Sequence, residues 1–458
     1  MIKRPISHKL IYLFLPLFFS LVLLQTMHTQ IIRAVPNTPG DLDTTFGVNG
    51  IAVEDLGANE RGRGLALRAD NKIWVIADSF NENFSSSQSY LLLYNSDGTL
   101  DTSFGTNGVA SVAPINPTAD DGVSDIALQA DGKVVVVGSV NTNGNTDFAV
   151  FRFMADGSVD SSFGAGGVVT TTIGLSVDAK ANSVAMQADG KIVAAGENGR
   201  YGVGDFALVR YLSDGSLDLS FGVGGVVTTN FPARTGYCCV GGAVDWANDV
   251  IVQADGKIVA VGFSGGAFGM ARYEENGSFG NSGIVTTVVG LEPFSFVYAN
   301  AVVQQPDGKL LVSGRGYDDV NANHVWALVR YNTDGSLDNT FGMNGIVKTD
   351  FGGESYSSDM IIRPNGQIVL VGAGDDSGLY ASVVLYNEDG SIDTSFGTGG
   401  SVHMSLGSWA SGVIAQPDGK LIILGDAGDL SKDIFIARYE GPEVDLGHKL
   451  YLPTVQKP

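Results

Sequence analysis

Cysteine is nearly absent. Cys238 and Cys239 are the only two in 458 residues, which excludes a disulfide-dense scaffold and a cysteine-based zinc site. Histidine is equally scarce, with five copies. His324, His403 and His448 each stand alone, and no Ser-His-Asp set, phosphate loop or zinc signature is present. Basic residues are few, with 27 Lys and Arg against 49 Asp and Glu and a net charge of −22. A chain this acidic repels nucleic acid and anionic lipid. Only one long apolar run exists, Leu10–Leu24, and helical periodicity is missing beyond it. Charged residues make up only 17%.

What the chain has in quantity is glycine, with 62 copies, and apolar residues, at 44%. That composition excludes disorder and suits many short strands joined by glycine-rich turns.

Lys3, Arg4 and Lys9 precede the apolar run. Fifteen residues match a signal-peptide core, whereas a spanning helix needs roughly 20. Residues 1–34 are therefore expected to be a signal peptide, with an uncleaved N-terminal membrane anchor as the alternative. The rest is expected to be secreted or displayed on the cell surface. Removing the leader leaves 23 basic against 49 acidic residues, a surface that keeps an exported protein soluble.

One phrase is written seven times. It reads "GDLDTTFGVNG" from Gly40, "DGTLDTSFGTNG" from Asp97, "DGSVDSSFGAGG" from Asp156 and "DGSLDLSFGVGG" from Asp214. It returns as "NGSFGNSG" from Asn276, "DGSLDNTFGMNG" from Asp334 and "DGSIDTSFGTGG" from Asp389. Its phenylalanines, Phe46, Phe104, Phe163, Phe221, Phe279, Phe341 and Phe396, are spaced by 58, 59, 58, 58, 62 and 55 residues. Two further phrases recur in step, typified by "ADGKIVAAG" (Ala188–Gly196) and "FALVRY" (Phe206–Tyr211).

Each unit holds four strands. "SVAMQ" and "KIVAAG" flank an Asp-Gly pair, a strong hairpin signal that predicts a two-residue type I′ turn. "FALVRY" is apolar on both faces and so is sandwiched. "GVVTT" is rich in β-branched residues. Four antiparallel strands repeated seven times predict an all-β, seven-bladed β-propeller over residues 35–440. The chain enters at a fourth strand, Gly50–Val53, and leaves after a third, Phe435–Tyr439. The N-terminal strand is thus expected to complete the last blade and close the ring. Residues 441–458 form a C-terminal tail.

These phrases resemble the bacterial delta-60 repeat family, and the resemblance covers Gly40 to Tyr439. It implies a propeller-type repeat fold and an exported or surface protein, and it implies no defined activity. The fifth copy departs from the pattern by losing the Leu-Asp step, which predicts a shorter or looser turn in that blade.

A loop needed in every blade answers a structural demand. Asp43, Asp101, Asp160, Asp218, Asp338 and Asp393 are expected to accept backbone N–H groups or to pair with arginine. Phe46, Phe104, Phe163, Phe221, Phe341 and Phe396 are expected to plug the gaps between blades. Arg210 is the natural partner of Asp218, but Leu93 and Leu385 replace it where Asp101 and Asp393 remain. "NTDGSLD" (Asn332–Asp338) is loosely like a calcium loop without its terminal bidentate Glu; calcium is the minor alternative to an expectation of no metal or cofactor.

Strand alternation separates two faces. First-to-second and third-to-fourth connections share one face and barely vary. Second-to-third and blade-to-blade connections share the other and differ in every unit, so recognition is expected there, near the central channel. Candidate contacts on that face are Tyr237, Trp246, Tyr317, Asp318, Asp319, His324 and Trp409. Phe294 and the acidic pairs Asp120-Asp121 and Asp375-Asp376 also fall there. For Cys238 and Cys239 a strained vicinal disulfide, two thiols and intermolecular pairing all stay open. The expected function is that of a non-catalytic, monomeric scaffold binding an extracellular protein or carbohydrate, with no nucleic-acid partner and membrane contact only through an uncleaved anchor. The alternative is an enzyme (lyase, glycoside hydrolase or quinone-dependent dehydrogenase) with its site at the channel mouth.

Overall fold

Each Asp-Gly phrase folds one strand back onto the next. In "MQADGKI" Gln187 N donates to Lys191 O and Gly190 N to Gln187 O, both at 2.9 Å. The loop is therefore three residues long, Ala188–Gly190, and only Gly190 takes a positive φ, 84°. This corrects the expected two-residue type I′ turn. That turn would drive Asp189 into the left-handed region as well, whereas a right-handed turn closed by one left-handed Gly avoids that strain. Asp189 Oδ1 instead accepts the Lys191 N–H at 3.2 Å.

A computed structural model describes residues 38–443 except 58, 82–86, 113–121, 143, 175–177, 200–203, 233–243, 291–295, 375–379, 406 and 428–432. Twenty-eight strands form seven four-stranded antiparallel sheets. The innermost strands of blades 1 to 7 are Asn59–Leu67, Gly122–Leu128, Ala179–Met186, Asp245–Val252, Tyr298–Gln304, Tyr356–Ile362 and Gly407–Ala415. Six blades take their four strands in chain order. In the seventh, the outermost strand is Ile51–Glu54, paired antiparallel with Asp433–Tyr439. The N-terminal strand closes the ring as expected. Among the described residues no helix is long and apolar enough to cross a membrane.

The core is divided among the blade interfaces. Between blades 3 and 4, Val193, Leu208 and Phe221 pack on Val250, Ile258 and Tyr273. Each fully buried side chain of this size contributes about 1.5–3 kcal/mol. Phe46, Phe104, Phe163, Phe221, Phe341 and Phe396 are all at most 2% exposed, as plugs between blades must be.

Phe279 is 45% exposed and pairs with Tyr273. In other blades that tyrosine bridges the leucine of the phrase, as Tyr211 does Leu217 and Tyr331 does Leu337. Phe279 thus takes the leucine position, not that of Phe221. What the fifth copy has lost is the aspartate and the buried phenylalanine after it. Its strand runs unbroken from Phe279 to Thr287.

The recurrent aspartates cap the turn that follows them. Asp218 Oδ1 accepts Ser220 N at 3.0 Å, and Arg210 Nε donates to Asp218 Oδ2 at 2.9 Å. The Arg210 guanidinium lies 4.6 Å from the Phe221 centroid and donates to Glu275 O in the next blade. Where leucine replaces the arginine, the residue just before the second strand supplies the donor. Lys72 Nζ reaches Asp101 Oδ2 at 2.6 Å, and Gln367 Nε2 reaches Asp393 Oδ2 at 2.5 Å.

Candidate binding site at the channel mouth

Every innermost strand carries a bulge, at Arg63, Ser124, Asn182, Asn248, Asn300, Ser358 and Ser411. The bulge displaces backbone groups that the neighbouring blade then satisfies. Asn182, Asn248 and Asn300 donate their amides to Ala247 O, Ala299 O and Ser357 O at 2.7–2.8 Å. Asp125, Asp249 and Asp359 accept Val184 N, Val302 N and Val413 N at 2.8–3.0 Å. These inner carboxylates are committed to backbone.

A glycine on the second strand makes room for the bulge. A Cβ on Gly196, Gly262, Gly314, Gly372 or Gly425 would meet the carbonyl oxygen of Lys180, Trp246, Tyr298, Tyr356 or Trp409 at 1.9–2.5 Å. The final Gly of "KIVAAG" is therefore what lets the inner strand lie so close.

Two positions before the bulge, at the variable-face end of the strand, stand Arg61, Gly122, Lys180, Trp246, Tyr298, Tyr356 and Trp409. Four consecutive blades thus present an aromatic side chain at one register, and all four are half-buried. Trp246 stacks on Phe263, with ring centroids 4.1 Å apart and planes 11° apart. Trp409 meets the Tyr356 ring edge-on at 5.7 Å, and its Nε1 donates to Ser358 Oγ. Burial pushes the Tyr356 hydroxyl up to about 12, and the charges acting on it come from Tyr298, Arg315, Asp426 and Arg61. Charges carried by blades 5, 7 and 1 are therefore felt at this hydroxyl.

Beside the crescent lies the hairpin of blade 5. Arg315, the register partner of Tyr298, donates from Nη2 to Glu354 Oε2 at 2.5 Å. His324 Nδ1 lies 2.9 Å from Glu354 Oε1. Burial would raise the Glu354 carboxyl, but the hydrogen bond and charge of His324, with Arg315, outweigh it and hold it below its ordinary value. Tyr317 packs edge-on against His324 at 5.4 Å. Asn321 links Asp318 to Asp350, and Lys348 lies 3.9 Å from Asp319.

The structure thus gathers Tyr317, Asp318, Asp319 and His324 into one network on the variable face, and Trp246 and Trp409 into the crescent. Tyr237, Cys238, Cys239, Phe294, the pairs Asp120-Asp121 and Asp375-Asp376, the leader and the tail beyond 443 lie outside the described residues. His403 belongs to neither group: on an outermost strand, it bonds Ser382 Oγ through Nδ1 at 2.8 Å. Tyr298, Tyr356, Arg61 and Arg315 were not anticipated. For the tyrosines the signal is positional, an aromatic directly before the Ala299-Asn300 or Ser357-Ser358 pair that forms the bulge, whereas Arg61 precedes Gly62-Arg63 and Arg315 lies on a second strand.

The calcium-like loop is a poor fit for the ion. Asn332 turns its amide nitrogen inward, onto Ser336 Oγ and Leu337 O. Asp334 Oδ1 accepts from Ser336, and Asp338 Oδ2 is shared by Arg330 at 2.8 Å and Lys309 at 3.0 Å. A hollow of about 1040 Å³ opens on the opposite face, among the hairpins of blades 2 to 4. Gln129, Gln187 and Gln253 line it with buried, unbonded amide oxygens, but Gln305 and Gln416 repeat the feature elsewhere. A device present in five blades is part of the scaffold.

Six segments, residues 68–104, 129–163, 187–221, 253–282, 305–341 and 363–396, match the model of a family described as a domain of unknown function (DUF5122) beta-propeller. The chain is a propeller-type repeat protein. The shortest matched segment falls on the blade with the deleted motif. No curated protein matches the sequence. Among solved structures, a polysaccharide lyase aligns at 12% identity over 87% of this chain and 92% of its own, with a TM-score of 0.45. The PQQ-bound aldose sugar dehydrogenase of Streptomyces coelicolor aligns at 12% identity over 85% and 98%, with a TM-score of 0.36. Drosophila Semaphorin 2a aligns at 9% identity over 89% and 76%, with a TM-score of 0.45.

Proposed function

We propose that the protein is an exported, non-catalytic member of the delta-60 repeat group that binds a carbohydrate chain at the variable-face mouth of its channel. The observation that carries this reading is the crescent of Trp246, Tyr298, Tyr356 and Trp409, at one register in four consecutive blades. Half-buried aromatic faces offer apolar area at low entropic cost, and Tyr and Trp also offer a polar handle. Export is supported by the charged, apolar leader.

The enzyme alternative draws on the same convergence. The titrating groups speak against it. A general acid or base works best with a pKa near the operating pH. Glu354 is held low and Tyr356 is pushed up to about 12, so both move away from it. Asp245 is pushed up to about 6 by burial but has no exposed surface.

Affinity electrophoresis through gels containing polysaccharides tests the reading. Retardation by at least one polymer is expected, with loss in Trp409→Ala and Tyr356→Ala variants that melt as the parent does. Equal retardation of parent and variants would overturn it, and polymer cleavage measured on the same samples would favour the enzyme.

A further inference from the structure

The crescent is flanked on the blade 1 side by a cation. Arg61 stands at the register of the aromatics, half-buried, with its guanidinium carbon 5.6 Å from the Phe80 centroid. Among the described residues it makes no ion pair. Carboxylates beside it in the chain, across the sheet and on blade 7 are engaged elsewhere. On its own strand, Glu60 is fully buried and accepts Ser79 Oγ at 3.0 Å. Across the sheet, Asp78 takes Arg63 Nε at 2.9 Å, Ser89 Oγ at 2.6 Å and Val123 N at 3.1 Å. From blade 7, Asp426 accepts Gly62 N at 3.0 Å. Asp78 and Asp426 are at most 2% exposed. These three carboxylates are thus turned into the wall, while Arg61 stands at the register of Tyr356 and its charge acts on the Tyr356 hydroxyl.

We propose that the carbohydrate taken at the mouth is an acidic one, its anionic group paired with Arg61 while its ring packs on the Tyr356–Trp409 edge of the crescent. This rests on the carbohydrate reading above and narrows it to a class. A planar guanidinium pairs in two-pronged fashion with carboxylate or sulfate. The other cation at this register, Lys180, stands next to the Trp246 end of the crescent, so Arg61 is the cation beside the Tyr356–Trp409 edge. The chain as a whole carries a net charge of −22. Bulk electrostatics repel a polyanion, so any preference for one must come from a local site.

The test compares three probes on the full chain: polygalacturonate for carboxylate, dextran sulfate for sulfate, and dextran for a neutral chain. Binding is measured by calorimetry at low and at 0.5 M salt. Tighter binding of one anionic probe than of dextran is expected, weakened by salt. Arg61→Gln should weaken that probe by about tenfold or more and leave dextran unchanged, with Arg61→Lys intermediate. Melting curves of both variants should match the parent. Which anionic probe responds assigns the group. Equal affinity for anionic and neutral probes, or an unaltered Arg61→Gln variant, overturns the acidic class and leaves carbohydrate binding standing, with Arg61 reduced to a stack on Phe80. Binding of no probe overturns both.

Discussion

Arg438 Nε donates to Asp43 Oδ2 at 2.7 Å, a buried pair separated by 395 positions in the chain. Lys420 Nζ shares the same carboxylate at 2.5 Å, and Arg438 Nη1 donates to Ser96 O in blade 1. This is the Arg–Asp–Phe arrangement of blades 2, 3 and 5, here assembled from the two ends of the propeller. It bolts the ring where the backbone is discontinuous.

Arg438→Ala should destabilise the fold by about 3 kcal/mol, because breaking a buried pair strands its partner and severs the tie to blade 1. Urea unfolding checks this against Leu219→Ala. Leu219 is 73% exposed, and its replacement should stay within about 0.5 kcal/mol.

Asp101 has no arginine partner and depends on Lys72. The hydrogen bond from Lys72, then those from Ser103, hold its carboxyl down at about 2. A depressed carboxyl adds stability above its unfolded value of about 3.9, and that stability is lost as the pH falls towards 2. Lys72→Met should therefore move Asp101 back towards 3.8, read by NMR titration, and raise the pH of acid unfolding. Lys191→Met in blade 3 should do much less, because Arg210 still holds Asp218.

Asp245 has the opposite sign. It accepts Phe231 N at 3.0 Å, but burial pushes its carboxyl up to about 6. A raised carboxyl costs the fold nothing below about pH 4 and destabilises it as the pH rises through 6. Asp245→Asn should stabilise the protein at pH 7.5 by about 2 kcal/mol, with the gain vanishing at pH 4. Melting curves across that range decide it.

Gly262 bears directly on the crescent. A Cβ there would lie 1.9 Å from the Trp246 carbonyl oxygen, an atom fixed in the backbone. Gly262→Ala should destabilise by about 3 kcal/mol and shift the Trp246 fluorescence. An unchanged melting temperature would show that the bulge relaxes freely.

Much of this architecture is local and so is written in the sequence. A hairpin is decided by a handful of adjacent residues, and seven repetitions turn one hairpin argument into a ring. The phase of the ends announces closure, and the leucines at 93 and 385 announce that the aspartates have other partners. The turn type was misread because Asp-Gly suits two loops, and the backbone hydrogen bonds decide between them. Phe279 was misassigned because a Phe-Gly match outweighed the strand register that places it beside Tyr273.

The candidate site was legible only in part. Trp246 and Trp409 stand out as aromatics in variable segments, and Tyr317 and His324 as features of a long loop. Tyr298, Tyr356 and Arg61 look like ordinary strand residues. They lie roughly a repeat apart, and no local rule joins them. Sequence by itself determined the strands, the blade count and the closing partner, since each follows from short-range patterning repeated. Only the tertiary structure decided which residues meet at the mouth. The ring brings equivalent positions of successive blades together, and the bulges, accommodated by second-strand glycines, hold the inner strands at one register.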